Sequence, residues 1–368
     1  MKLYEYAAKE IFSGYGIPVP RGNLAVSADE AEEITRKLGD VVIKAQVLVG
    51  GRGKAGGIAR AKDPQEANRN AQRILGMSIK GLPVKKLLVE EYKKPQIEMY
   101  LGITLDRRAR CPVIIASSEG GVDIEETAKK SPQKIVRKHI NLLTGVHDYQ
   151  ARTLAYSLDR KNATAIADVI KKLYSVFIEY DCTLAEINPL AFAAQGIFAL
   201  DAKMVIDDSA LFRQNFKVEE TGSLQEIAKK SGMSYVGLDG DIGCIVNGAG
   251  LAMATLDMIK VNEGKPANFM DVRAGASAEQ VKTALRIVSS NRNLKALIIN
   301  IFGGLTRCDE VARGIIDVIP EIKVPLVIRL AGTNEEEGRR MLETHGIILA
   351  SSTEEATKAV VELGHSDR

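Results

Sequence analysis

The chain has 368 residues, 45% hydrophobic and 26% charged, with a net charge of +3, four cysteines and no tryptophan. That length accommodates roughly two or three domains, and so slight a charge, without interleaved aromatic and basic residues, argues against a nucleic-acid partner. No apolar run approaches membrane length and the first residues read as an amphipathic helix rather than a signal peptide, so a cytoplasmic protein with no membrane association is expected. Cys111, Cys182, Cys244 and Cys308 lie far apart with no CxxC or other zinc spacing, which makes reduced thiols the expectation.

In chain order, MKLYEYAAKEIF predicts a helix with Tyr4, Ala7, Ala8, Ile11 and Phe12 on one face and Glu5, Lys9 and Glu10 on another. Gly14 and Gly16 end it, and Ile17 to Pro20 is extended. A second helix begins at the cap Ser27, with Asp29, Glu30, Glu32 and Glu33 in its first turns. Next comes Val41 to Ile58, VVIKAQVLVGGRGKAGGI, an alternating strand followed by five glycines between Gly50 and Gly57. Such a loop keeps little side chain between its backbone and a ligand, and glycine accepts the positive φ that turns successive N–H groups inward. With Lys44 in the strand and Arg52 and Lys54 in the loop, a polyphosphate is the expected ligand. Gly51, Gly53 and Gly56 satisfy GxGxxG, but the chain continues as a second extended segment rather than a helix, and no Walker A sequence is present. A flexible lid over ATP, as in kinase-like and ATP-grasp enzymes, fits better; a basic surface hairpin is the alternative.

Further along, a helix from Asp63 and Pro64 to Leu75 and strands at Lys86–Glu90, Glu98–Leu105 and Pro112–Ala116 are expected, the last ending in the polar loop 117–121. One helical stretch runs from about Tyr149 to Glu179. Strands from Leu184 to Phe192 and from Gly196 to Val205 then flank a turn at Ala194–Gly196. Folding about that turn sets Asn188 opposite Asp201, and alternation puts Glu186 on the same face as Asn188. Two or three such oxygens suit Mg²⁺ completed by substrate phosphates and water, although a polar solvent face reads the same way. Glu90 and Glu91 close a strand, where either a ribose contact or a solvated end is compatible with the sequence, and Glu98 is equally open.

Asp207 to Ser231 reads as a helical linker, with the domain boundary near Gly232. Beyond it, strands at Gly243–Asn247, Ala267–Val272, Ala296–Phe302, Pro325–Leu330 and Ile347–Ala350 alternate with helices, several of them opened by the caps Ser277, Thr333, Asn334 and Ser352. Five βα units predict a doubly wound parallel sheet with ligands at the strands' carboxyl ends. Asn247-Gly248-Ala249-Gly250 and Gly303-Gly304-Leu305-Thr306-Arg307-Cys308-Asp309 sit at such ends, where helix N-termini bind carboxylates and phosphates; tight turns without a ligand also require glycine. Cys308 is either a thiol of lowered pKa or a small buried residue. None of the four histidines lies in a glycine loop or at metal-ligand spacing, so no self-contained nucleophilic centre is expected.

Taken together, YEYAAKEIFSGYGIPVP, GGRGKAGG, LLVEEY, ASSEGGVDIEE, AEINPL, ALFRQ, CIVNGAGLAMATLDMIK, NIFGG and RCD resemble the β subunits of succinyl-CoA synthetase, the ADP- or GDP-forming succinate–CoA ligases, along nearly the whole chain. The resemblance implies an ATP-grasp domain over residues 1–231 and a flavodoxin-like CoA-ligase domain over residues 232–368, both α/β. It implies the reversible conversion of succinyl-CoA, phosphate and nucleoside diphosphate into succinate, CoA and nucleoside triphosphate. The phosphohistidine that carries the phosphoryl group belongs to an α subunit, so an αβ or α2β2 partner is implied. By position the resemblance assigns nucleotide contacts to Lys44, Gly51, Arg52, Gly53, Glu90, Lys93 and Glu98, and Mg²⁺ to Asn188 and Asp201. Glu186 becomes the catalytic carboxylate that steadies the phosphohistidine, and Asn247, Gly304, Leu305 and Thr306 face the acid substrate and its phosphate. One departure stands out: Arg273-Ala274-Gly275 follows Asp271-Val272 where the family usually has three glycines. ADP against GDP preference, succinate against malate or another acid, and a non-catalytic nucleotide-binding subunit remain open at this level.

Overall fold

The computed structural model describes residues 1–121, 124–216 and 223–365, and the chain divides into two compact units, Met1–Lys217 and Val218–Arg368. No helix among the described residues is long and apolar enough to cross a membrane.

The first unit runs α1 (Glu5–Gly14), β1 (Gly22–Ala25), α2 (Ala28–Leu38), β2 (Val41–Ala45), β3 (Ile58–Ala61), α3 (Pro64–Leu75), the short β4 (Ser78–Ile79) and β5 (Leu82–Pro83), and β6 (Leu87–Glu91). It continues with β7 (Ile97–Asp106), β8 (Cys111–Ser117), α4 (Ile124–Lys130), β9 (Ile135–His139), α5 (Asp148–Leu158), α6 (Ala163–Glu179), β10 (Cys182–Ala193), β11 (Gly196–Ala199) and β12 (Lys203–Ile206). Besides the β4-β5 hairpin, two larger antiparallel sheets form. One has the order β1-β6-β2-β3; the other runs β11-β10-β7-β8-β9, with β12 also on β10.

Local chemistry explains the smaller sheet's cover. Ser27 accepts from the Glu30 N–H while Glu30 Oε2 returns a bond to the Val26 N–H, and Asp63 caps α3, whose first residue is Pro64. Both helices lay alanines and isoleucine against Val41, Ile43 and Val89. The larger sheet is covered by α5 and α6, whose Ile166, Ile170 and Leu173 pack with Leu101, Ile103 and Ile187.

Several expectations change here. The inward face of α1 is Glu5, Ala8, Lys9 and Phe12, so two of the three charges assigned to the other face are buried and Glu10 alone is exposed. The helix expected across residues 149–179 is two helices: Asp159 accepts from the Lys161 N–H and the Asn162 amide, forming a turn that interrupts an otherwise continuous apolar period. The strand expected from Gly196 to Val205 breaks at Leu200–Ala202, and β9 had no sequence signal. Residues Val122 and Asp123 of the ASSEGGVDIEE motif, and residues 217–222 of the expected linker, lie outside the described residues.

The second unit comprises α7 (Leu224–Lys230), β13 (Ser234–Gly237), β14 (Ile242–Val246), α8 (Ala249–Val261), β15 (Asn268–Asp271), α9 (Ala278–Ser289), β16 (Ala296–Gly303), α10 (Cys308–Ile316), β17 (Leu326–Gly332), α11 (Glu335–Glu343), β18 (Ile348–Leu349) and α12 (Thr353–His365). Ala228 of α7 packs into this unit's core, so the division falls before that helix rather than at Gly232. The sheet order is β13-β15-β14-β16-β17-β18. From β15 to β18 all pairs are parallel; β13 adds an unexpected antiparallel edge to β15. Helices α9, α10 and α11 cover one face, and α8 and α12 the other. Placing the second parallel strand outside the first gives the flavodoxin-like doubly wound order, whose switch point lies between the carboxyl ends of β14 and β16.

Candidate active site

In the first unit the glycine loop joins β2 to β3, which pair antiparallel from Val41↔Ala61 to Lys44↔Ile58. Gly51 and Gly56 take φ of 81° and 77°. The loop closes on itself through Ala55 N–H to Gly51 O, Gly56 N–H to Gly53 O and Gly57 N–H to Arg52 O. Among the described residues the N–H groups of Gly51, Arg52 and Gly53 donate to no backbone carbonyl, which leaves consecutive donors for an anion.

Beneath this loop lies a buried cluster of three cations and three carboxylates. Lys44 Nζ is 3.1 Å from Glu5 Oε1 and 2.5 Å from Glu90 Oε1, and it also donates to Leu200 O. Lys9 Nζ is 2.9 Å from Glu5 Oε1, 2.6 Å from Glu90 Oε2 and 2.8 Å from Leu200 O. Arg52 places Nη1 2.5 Å from Glu5 Oε2 and Nη2 2.7 Å from Asp201 Oδ1. Burial pushes the Glu5 carboxyl up, but the charges of Arg52, Lys44 and Lys9 outweigh it and hold that carboxyl well below its usual range. Lys44 and Arg52 are likewise raised: burial opposes their charge, and the surrounding carboxylates more than compensate. Glu90 is therefore no solvated strand end. Its neighbour Glu91 pairs outward with Arg21 and with Lys93, whose Nζ also sits 5.0 Å from the Phe198 ring centre.

The hairpin behaves as its turn dictated. Leu190 pairs with Ala199 and Glu186 with Lys203, and the Leu200 N–H donates to Pro189 O, so Asn188 and Asp201 stand across from each other. Asn188 Oδ1 accepts from the Gly121 N–H at 2.8 Å. Asp201 is the most exposed carboxylate of the cluster, at 35% against 1% for Glu5 and 3% for Glu90. The partly exposed Asp201 and the Asn188 carbonyl, bonded to Gly121, are the two oxygens expected for Mg²⁺, which takes few protein oxygens. Among the described residues, no group of three or more histidine, cysteine, aspartate or glutamate side chains is placed to hold a metal ion. Glu186 lies 3.6 Å from Lys203 Nζ, with its carboxyl raised chiefly by burial. Glu98, also raised by burial, lies against the glycine turn, where a Cβ on Gly121 would come within 2.9 Å of its Oε2.

The second unit gathers its own constellation at the switch point. Asn247 Nδ2 donates to Phe302 O and Thr306 Oγ1, each at 3.0 Å, while its Oδ1 accepts from the Phe302 N–H at 2.8 Å. Thr306 Oγ1 also accepts from the Gly275 N–H, and Asp271 Oδ1 accepts from the N–H groups of Gly248 and Arg273. Three loops are thus fastened together, with Gly304 and Leu305 exposed between them. Cys308 is fully buried and its thiol is raised, first by burial, so the nucleophile reading fails. Sequence reasoning missed Glu5, Lys9 and Asp271. The i, i+4 spacing of Glu5 and Lys9 beside Ala8 and Phe12 was the one available signal.

Residues 2–192 match the ATP-grasp domain family and residues 245–363 the CoA-ligase family, which defines a two-domain acid–thiol ligase. Over its whole length the chain is 48% identical to the succinate–CoA ligase [ADP-forming] subunit beta of Roseiflexus sp. strain RS-1, with all of both chains covered. It is 47% identical to the corresponding subunit beta 2 of Archaeoglobus fulgidus, over 93% of this chain and 92% of that one. The chain belongs to the family of ADP-forming succinate–CoA ligase β subunits. Among solved structures, the ATP citrate lyase of Methanothrix soehngenii in complex with citrate and coenzyme A shares the fold, with a TM-score of 0.67 at 20% identity over 99% of this chain and 98% of that one.

Proposed function

We propose that this chain, with an α subunit carrying the phosphohistidine, interconverts succinyl-CoA, phosphate and ADP with succinate, CoA and ATP in the cytoplasm, and supplies the nucleotide half of that reaction. The observation that carries this reading is the Lys44–Arg52–Asp201 arrangement under a glycine loop whose successive N–H groups face no backbone acceptor.

Arg52, Lys44 and the N–H groups of Gly51 and Gly53 receive the polyphosphate, while Glu90, Lys93 and Glu98 line the nucleotide's remaining contacts. Asn188 and Asp201 are the oxygens that would hold Mg²⁺, which would neutralise the phosphate oxygens during transfer. Glu186, set on β10 beyond Asn188, faces the partner's histidine; an arriving imidazolium stabilises the carboxylate that burial otherwise disfavours. In the second unit, Asn247 and the backbone at Gly304, Leu305 and Thr306 receive the acid substrate and its phosphate, as helix N-termini at a switch point do.

The test is an assay of the chain alone and with its α partner, using succinate or malate, CoA, and Mg-ATP or Mg-GTP. Acyl-CoA formation is expected from the pair with succinate and ATP, and only nucleotide binding from the chain alone. Turnover by the chain alone removes the partner requirement, preference for malate reassigns the substrate, and no acyl-CoA from any acid leaves a nucleotide-binding subunit without catalysis.

A further inference from the structure

Lys9 and Lys44 share the same three acceptors. Each ammonium donates to Glu5 Oε1, to one oxygen of Glu90 and to the carbonyl of Leu200. An ammonium has three protons, so both lysines are fully engaged, and Lys44 has none to offer a phosphate without releasing an acceptor. Released alone, Lys44 would abandon two carboxylates whose side chains are 1% and 3% exposed. Without Lys9, Glu90 would then have no cation at that depth, which strongly opposes such a movement.

We propose that Lys9 is a positioning residue for nucleotide binding: it is a resident counter-cation that keeps Glu5, Glu90 and the Leu200 carbonyl satisfied when Lys44 turns to the polyphosphate. This rests on the reading of Lys44 as a nucleotide contact. The arrangement divides one task between two similar side chains. Lys9, on the inward face of α1 and 6% exposed, stays in place. Lys44, on β2 leading to the glycine loop, is the cation that exchanges partners. Glu5 has a matching part, because its Oε2 holds Arg52 Nη1 and leaves Nη2 directed at the exposed Asp201. The inner nitrogen of Arg52 remains anchored while the outer one trades a carboxylate for a phosphate.

The experiment measures Mg-ADP affinity of the full chain by calorimetry, and the KM values for ADP and for succinyl-CoA with the α partner, in wild type, Lys9→Met, Lys9→Arg and Lys44→Met. The expected result is at least a tenfold weaker Mg-ADP affinity and a raised ADP KM in Lys9→Met, with the succinyl-CoA KM unmoved and Lys9→Arg within about threefold of wild type. A folded Lys9→Met that binds Mg-ADP like wild type, or one that raises both KM values equally, overturns the proposal. If Lys44→Met also binds Mg-ADP normally, the nucleotide-site reading itself falls; if Lys44→Met loses binding and Lys9→Met does not, only the role of Lys9 falls. Should Lys9→Met fail to fold, Lys9→Met/Glu90→Gln removes one charge of each sign and is compared with Glu90→Gln. Weaker Mg-ADP binding by the double variant supports the proposal, and equal binding overturns it.

Discussion

Arg52 Nη2 lies 2.7 Å from Asp201 Oδ1, so the arginine of the glycine loop is bonded to the carboxylate proposed to hold the metal. On the proposed assignment, phosphate and cation would enter by dividing this ion pair. Removing the guanidinium has two opposite effects. Arg52→Ala is expected to weaken Mg-ADP binding by roughly ten- to a hundredfold, from about 1.5–3 kcal/mol of charge-assisted hydrogen bonding. It is also expected to tighten Mn²⁺ binding to the nucleotide-free chain, because Asp201 loses its competitor. Phosphorylation of the partner's histidine from ATP falls, whereas its phosphorylation from succinyl-CoA and phosphate persists; equal loss of both contradicts the assignment.

Thr306 joins the loops of the second unit through a hydroxyl 3.0 Å from both Asn247 Nδ2 and the Gly275 nitrogen. Thr306→Val preserves shape but takes an acceptor from the buried Asn247 amide and from the exposed Gly275 N–H. A loss of about 1–3 kcal/mol in urea unfolding is expected, with a raised succinate KM and an unchanged ADP KM. An unaltered succinate KM would remove this corner from the acid-substrate site.

Arg273 holds a φ of 64°, a left-handed conformation that costs a residue with a Cβ roughly 1–2 kcal/mol. Its N–H is fixed by Asp271 at 2.7 Å, beside the loop that carries Gly275 to Thr306. Arg273→Gly relieves this strain but loosens the unfolded chain, for a net gain of roughly 0.5–1 kcal/mol by thermal or urea unfolding. If the cation serves the substrate or the partner, the same variant shifts the succinate-to-malate preference or weakens assembly. A stabilised variant with both properties unchanged would show that Arg273 has neither role.

The Glu91 carboxyl is drawn down from 4.5 to about 2, first by its hydrogen bonds from Arg21; burial opposes the shift, and Lys93 adds to it. Glu5 is lowered too, although by charges that must overcome burial. A folded-state pKa below the unfolded value means that the stabilisation is complete above pH 4.5 and disappears as pH falls toward 2. Urea titrations between those limits are expected to show stability falling with acidity, with a shallower slope in Glu91→Gln. An identical slope in the variant would exclude Glu91 as a contributor.

Much of this architecture was legible because period and punctuation agreed. Strand–helix alternation after Gly237 gave the parallel sheet, and a single turn at Gly196 fixed the register that opposes Asn188 and Asp201. The buried ion cluster was not legible. A charge on an amphipathic helix reads as solvated, and nothing local to Glu5 or Lys9 reveals that Lys44, Arg52 and Glu90 approach from β2, the loop and β6. The short β13 escaped because Ser234 to Gly237 carries little apolar signal, and Asp271 because its contribution is made to backbone N–H groups across two loops.

Asn247 precedes Gly248, and an Asn-Gly pair is chemically fragile: the glycine nitrogen attacks the side-chain amide and leaves aspartate or isoaspartate behind. Here Gly248 N is held by Asp271 at 2.6 Å, and the Asn247 amide is held at both ends by the Phe302 backbone. A carboxylate in its place has no proton for the Phe302 carbonyl. The same bonds that shape this corner therefore oppose the attack that would age it.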